Sequence, residues 1–142
     1  MMVEQADSVV LIVDDDEVIC DVLTVVLESE GFEVHAVYRG EDAIEWAKDH
    51  APKAIILDLM MPGINGWETC RRLKGDARTT QIPVIVLTAR VTEMDRNRSL
   101  WAGAERFFTK PVETDELVSE LRRTIQSSAR PPFAPDADAP LS

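Results

Sequence analysis

Ala54-Ile55-Ile56-Leu57-Asp58-Leu59-Met60-Met61-Pro62-Gly63 decides the fold. A short apolar run stops at one carboxylate, and a Pro-Gly turn follows at once. An apolar run bounded by turn signals reads as a buried strand. Asp58 then stands at the carboxyl end of that strand, where an unpartnered charge is costly. Two further stretches end in the same way. Val9–Val13 runs into Asp14-Asp15-Asp16, and Phe107-Phe108-Thr109 runs into Lys110-Pro111. Three strands therefore bring a group of acids, a central acid and a base towards one place.

The rest of the chain alternates. Asp15 or Asp16 can cap a helix after the first strand, with Glu17 in its first turn. Ile19, Val22, Leu23, Val26 and Leu27 recur at helical spacing, and Gly31 stops that helix. Residues 32–38 alternate in polarity as an edge strand does. Gly40-Glu41-Asp42 opens a second helix, closed before Pro52. Residues 66–74 form a third helix, and 84–87 a fourth strand ending in Thr88-Ala89. Residues 93–102 form a fourth helix and 106–108 the fifth strand. Thr114 is expected to cap a last helix that carries Leu117, Val118, Leu121 and Ile125. Strict alternation implies parallel strands joined by right-handed crossovers. The continuous apolar strands suit the interior and the alternating second strand an edge. The expected fold class is therefore α/β, a doubly wound five-stranded parallel sheet of order 2-1-3-4-5. Its ligand crevice lies where the winding reverses, beyond strands 1 and 3. That places Asp14, Asp15 and Asp58 together.

Composition bounds the function. Apolar residues make up 45% and charged residues 29% of the 142, as in soluble globular proteins. The net charge of −11 is uneven: residues 1–70 hold 3 Lys/Arg against 16 Asp/Glu, the remainder 12 against 10. Such acidity disfavours direct nucleic-acid binding. No apolar run is long enough to span a bilayer and no signal-peptide pattern opens the chain, so the expected location is cytoplasmic, without membrane insertion. Cys20 and Cys70 lack metal spacing and read as small buried groups. His35 and His50 read as surface groups, and Trp46, Trp67 and Trp101 as packing or partner contacts. The expected organisation is an N-terminal extension (1–8), one domain (9–127) and a Pro/Ala-rich disordered tail or linker stub (128–142).

Carboxylates gathered at one point repel and need a cation or raised pKa values. Hard oxygen ligands without His or Cys select Mg²⁺ or Mn²⁺. With the Lys110 ammonium and the Thr88 hydroxyl they make a cradle for a phosphoryl group, and the central carboxylate can act as nucleophile to form an acyl phosphate. Taken singly, the Asp run is a helix cap, Thr88 a strand-end hydroxyl and Lys110 a surface lysine. Their joint placement favours the cradle.

The chain resembles a response regulator receiver domain, of the flavodoxin/CheY-like (βα)5 architecture. The resemblance runs from about Val9 to Ile125. It lies in Leu-Ile-Val-Asp14-Asp15-Asp16, Leu57-Asp58-Leu-Met-Met-Pro62-Gly63, Pro83-Val-Ile-Val-Leu-Thr88-Ala89 and Gly103-Ala-Glu-Arg-Phe107-Phe-Thr-Lys110-Pro111. It implies that Asp58 accepts a phosphoryl group from a histidine kinase or histidine phosphotransfer protein. Asp15 would bind Mg²⁺ directly, Asp14 through water, and Met60 through its backbone carbonyl. Thr88 would bind the phosphoryl group and move on activation, and Lys110 would pair with Asp58. The Lys110-Pro111 bond would be cis, and Phe107 would stand at the switch aromatic, where a Phe can act only by packing. Met60 and Arg90 occupy positions that tune dephosphorylation. The face formed by the helix over 93–102, the fifth strand and the last helix would meet an unknown protein target, in a monomer or weak dimer.

Four readings compete. The first is this switch, as a single-domain regulator or as part of a longer one, with no enzymatic turnover beyond its own phosphoryl chemistry. The second is an Mg²⁺-dependent aspartyl phosphatase, which would want a second Asp where Met60 stands. The third is a phosphorylation-independent interaction module. The fourth is a flavodoxin-like FMN binder, which three aspartates after the first strand would repel.

Overall fold

The computed structural model describes residues 9–59, 64–89 and 103–128. The expected helix over 93–102, with Trp101, and the expected site contributors Met60 and Arg90 lie outside them. The strands are β1 (Val9–Val13), β2 (Glu33–Val37), β3 (Ala54–Leu57), β4 (Val84–Thr88) and β5 (Arg106–Thr109). The helices are α1 (Glu17–Ser29), α2 (Gly40–His50), α3 (Gly66–Gly75) and α4 (Thr114–Ser128).

All neighbouring strands pair in parallel, in the order β2-β1-β3-β4-β5. That is the expected order, and burial explains it. Every residue of β3 and β4 is buried, whereas β2 at the edge runs from exposed Glu33 through half-buried positions. Successive strand side chains face opposite ways, so the sheet separates two cores. Leu11 and Val13 of β1 join Ile55 and Leu57 of β3 against α2 and α3. Val10 and Ile12 join Ala54 and Ile56 against α1 and α4, through Leu27, Leu117 and Leu121. Phe107 packs against the first core and Phe108 against the second, both half-buried.

The helix ends follow local chemistry. Asp16 caps α1 by accepting the amide hydrogens of Val18 and Ile19, and Gly31 follows the cap with a positive φ of 96°. Asn65 caps α3 by accepting from Glu68 N. Several boundaries differ from the sequence reading. β2 is one residue shorter at each end, and β4 and β5 each run one residue further, to Thr88 and Thr109. Thr114 is the first helical residue and not the cap: Leu117 N donates to Glu113 O, so the turn starts one residue earlier.

His35 is half-buried, against the surface position expected from sequence. Its ring stacks on one face of Trp46, and His50 stacks on the other. The centroids lie 4.2 and 4.1 Å apart, with the planes within 8°. Burial, with His50 second, lowers the pKa of His35.

Candidate functional site

The carboxyl ends of β1, β3, β4 and β5 lie side by side, so the residues just past them share one edge. Asp14 follows β1, and its N–H donates to Val37 O of β2 (3.2 Å). Asp58 follows β3, and its N–H donates to Val13 O (2.9 Å). Thr88 closes β4 opposite Thr109 of β5, and the next amide, Lys110 N, donates to Thr88 O (2.8 Å). The backbone ladder thus sets the positions of all four side chains. Asp14, Asp58 and Thr88 are buried, at 3%, 6% and 0% exposure, which marks them off from surface polar groups.

Asp14 is held on every side. Its Oδ1 accepts from Asp16 N (2.9 Å), and its Oδ2 accepts from Lys110 Nζ (2.7 Å). Its carbonyl accepts from the buried Cys20 Sγ (3.3 Å). Burial, with Asp14 next in weight, pushes the Cys20 thiol up to about 11, so it stays protonated as a donor. Lys110 reaches the second buried acid as well, with Nζ 3.8 Å from Asp58 Oδ2. Asp15 is exposed beside them. Asp14, Asp15 and Asp58 each turn a carboxylate oxygen into a volume where these atoms lie within 4.8 Å of one another. Three carboxylates against one ammonium leave an excess of negative charge, which suits a divalent cation. The Lys110–Pro111 bond is cis.

The structure brings together Asp14, Asp15, Asp58, Thr88 and Lys110. Met60 lies outside the described residues. Phe107 sits within β5, two residues before Thr109, and its ring belongs to the core on the α2–α3 side. Sequence reasoning missed the Cys20 contact, since a thiol three residues into a helix carries no signal of what it faces. It also missed how tightly Gly66 lies against the Asp58 segment.

A family model described as the response regulator receiver domain matches residues 10–122. The chain is 38% identical over 117 residues to the phosphate regulon transcriptional regulatory protein PhoB of Rhizobium meliloti. The match covers 82% of this chain and 52% of that protein, so the chain spans about half the length of this relative. Among solved structures, the signal receiver domain of a histidine kinase from Syntrophus aciditrophicus superposes with a TM-score of 0.81 at 34% identity, covering 92% of this chain and 98% of that one. The receiver domain of a sensor histidine kinase from Pseudomonas aeruginosa PAO1, solved with a magnesium ion coordinated in its active-site cleft, gives 0.78 at 30%, covering 84% and 98%. Receiver domains take phosphoryl groups from histidine kinases, and the helices among the described residues include none long and apolar enough to cross a membrane. With fold, site and sequence pointing one way, this chain belongs to the response regulator receiver domain family of two-component systems.

Proposed function

We propose that this chain is a signalling switch that takes a phosphoryl group onto Asp58 from a histidine kinase or a histidine phosphotransfer protein. The observation that carries the reading is the Lys110 ammonium between two buried carboxylates, 2.7 Å from Asp14 and 3.8 Å from Asp58, beside the buried Thr88. An oxygen of Asp58 attacks phosphorus. An O–P bond forms as the donor's N–P bond breaks, and the departing imidazole takes up a proton. Lys110 offsets negative charge on the phosphoryl oxygens, and the Thr88 hydroxyl donates to one of them.

The acidic cluster fits Mg²⁺ or Mn²⁺ by its donor set, which among the described residues is three carboxylates without His or Cys. Both oxygens of Asp14 already accept hydrogen bonds, whereas Asp15 is exposed. Asp15 and Asp58 would therefore hold the ion directly and Asp14 through water, with the Met60 carbonyl as a further ligand. When bound, the ion supplies positive charge to the phosphoryl oxygens. Thr88 and Phe107 lie along β4 and β5, and their movement would alter the face that carries β5 and α4. That face would meet a protein target.

The test is intact mass after incubation with Mg²⁺ and acetyl phosphate. One added phosphoryl group, absent from Asp58→Asn and from chelated protein, is the expected result. An adduct that persists in Asp58→Asn would defeat the assignment. A second reading, a receiver within a longer regulator, is favoured by the 52% coverage of the PhoB protein. An immunoblot of source cells decides it: a band at this chain's own mass supports single-domain action, a heavier one the longer regulator.

A further inference from the structure

We infer that Gly66 is a positioning residue for Asp58, acting through the backbone. The inference rests on the reading of Asp58 as the phosphoryl acceptor. α3 begins at Gly66, and its N–H donates to Leu59 O (3.1 Å). A Cβ at Gly66 would stand 2.5 Å from Leu59 Cα, 2.6 Å from the Asp58 carbonyl oxygen and 2.9 Å from Leu59 Cδ2. Two of these three are backbone atoms, which cannot rotate away. Ordinary contact begins near 3.4 Å, so one added methyl demands a shift of about 0.9 Å between α3 and the Asp58–Leu59 backbone.

Both sides of this contact are anchored. α3 is fixed by the buried side chains of Thr69, Cys70 and Leu73 and by the Asn65 cap. The Asp58–Leu59 segment is held by the Asp58 N–H, which donates to Val13 O, and by the buried Leu59 side chain. With neither side free to absorb the whole shift, the Asp58–Leu59 segment takes up part of it. Its displacement is that of the acceptor carboxylate relative to Lys110 and Asp15. Gly40 provides a contrast: a Cβ there would meet Thr69 Oγ1 and Ile64 side-chain atoms, not backbone. The absence of a side chain at residue 66 thus sets where Asp58 sits, and a misplacement of about 1 Å is enough to slow an oriented reaction by about 100-fold.

Gly66→Ala in the full chain, assayed with acetyl phosphate and Mg²⁺ by intact mass, tests this. The expected result is a fall of about 10- to 100-fold in the maximal rate, with the half-saturating donor concentration unchanged. Leu121→Ala, in the core on the other side of the sheet, should lower stability but keep the rate of folded protein within about twofold, because Leu121 does not share the core that holds Leu59 and α3. A folded Gly66→Ala variant reacting at the native rate would overturn the inference. So would an equal loss in Leu121→Ala, which would reduce Gly66 to a stability role. Where Gly66→Ala does not fold, Asn65→Ala uncaps the start of α3 without a clash. A fall of a few fold supports the inference there, and an unchanged rate overturns it. An unreactive native protein would instead overturn the acceptor reading and the inference with it.

Discussion

Lys110 Nζ lies 2.7 Å from Asp14 Oδ2 across 96 residues of chain, joining the end of β5 to the end of β1. The lysine side chain is 17% exposed and the aspartate 5%. The pair is desolvated enough to matter, and it neutralises part of an acidic cluster that would otherwise repel itself.

Removing that ammonium therefore carries a penalty. Lys110→Met should lower stability by roughly 2–4 kcal/mol in chelator, because truncating one partner strands buried charge. Millimolar Mg²⁺ should recover part of the loss by binding the folded state. Urea titrations with and without the cation measure both.

Metal dependence should also appear in the native protein. At 100 times its dissociation constant, Mg²⁺ should add about 2.7 kcal/mol, seen as a higher melting temperature. In Asp15→Ala the response should shrink sharply, since Asp15 is the exposed member of the three-carboxylate cluster and is proposed to hold the ion directly. An unchanged response would remove Asp15 from the ligand set.

The core on the α1–α4 side should answer to truncation. Leu121 is fully buried against Leu117 and Leu27. Leu121→Ala should cost about 2–5 kcal/mol, measured by chemical denaturation. At the helix start, Asp16→Ala loses a cap that accepts two amide hydrogens and should cost about 1 kcal/mol.

Acid should act through the stacked rings. Folding lowers the pKa of His35 below its ordinary 6.5, by burial first and His50 second. Between the folded and unfolded values the unfolded chain binds more protons, so this contribution to stability is present above about pH 6.5 and is lost as pH falls through the folded value. His35→Phe should flatten the pH profile of urea stability in that window. A profile identical to native would show that His35 does not set it.

Most of the sheet was legible because burial speaks through composition. The apolar runs of β1, β3 and β4 could lie only in the interior, and the polar alternation of β2 only at an edge. The acid–base cluster followed, since topology alone puts residues 14, 58, 88 and 110 on one rim. Side chains that reach across elements were not legible. Lys74 is placed by sequence only at the end of a helix, yet its Nζ donates to Ile82 O (2.7 Å) and to Glu105 (3.0 Å). Glu105 in turn accepts from Val84 N (2.7 Å), tying the starts of β4 and β5 together. Trp46 and His50 are four apart on one helix, so their stacking had a signal. The arrival of His35 on the opposite face depends on how β2 lies against α2, which no local pattern encodes.

The strand order has a consequence for how the molecule assembles. β1, β2 and β3 occupy the first 57 residues and form three adjacent strands, so three of the five strands can pair before β4 and β5 exist. That part carries Asp14 on its rim, with Asp58 next in the chain, but not the lysine that reaches both of them. In a nascent or truncated chain of this length Arg39, Lys48 and Lys53 are the only Lys or Arg side chains set against the acids, and Lys110, which reaches Asp14 and Asp58, is missing. β5, the last strand in chain order, brings the lysine, so its docking against β4 both completes the sheet and offsets part of the negative charge at the rim.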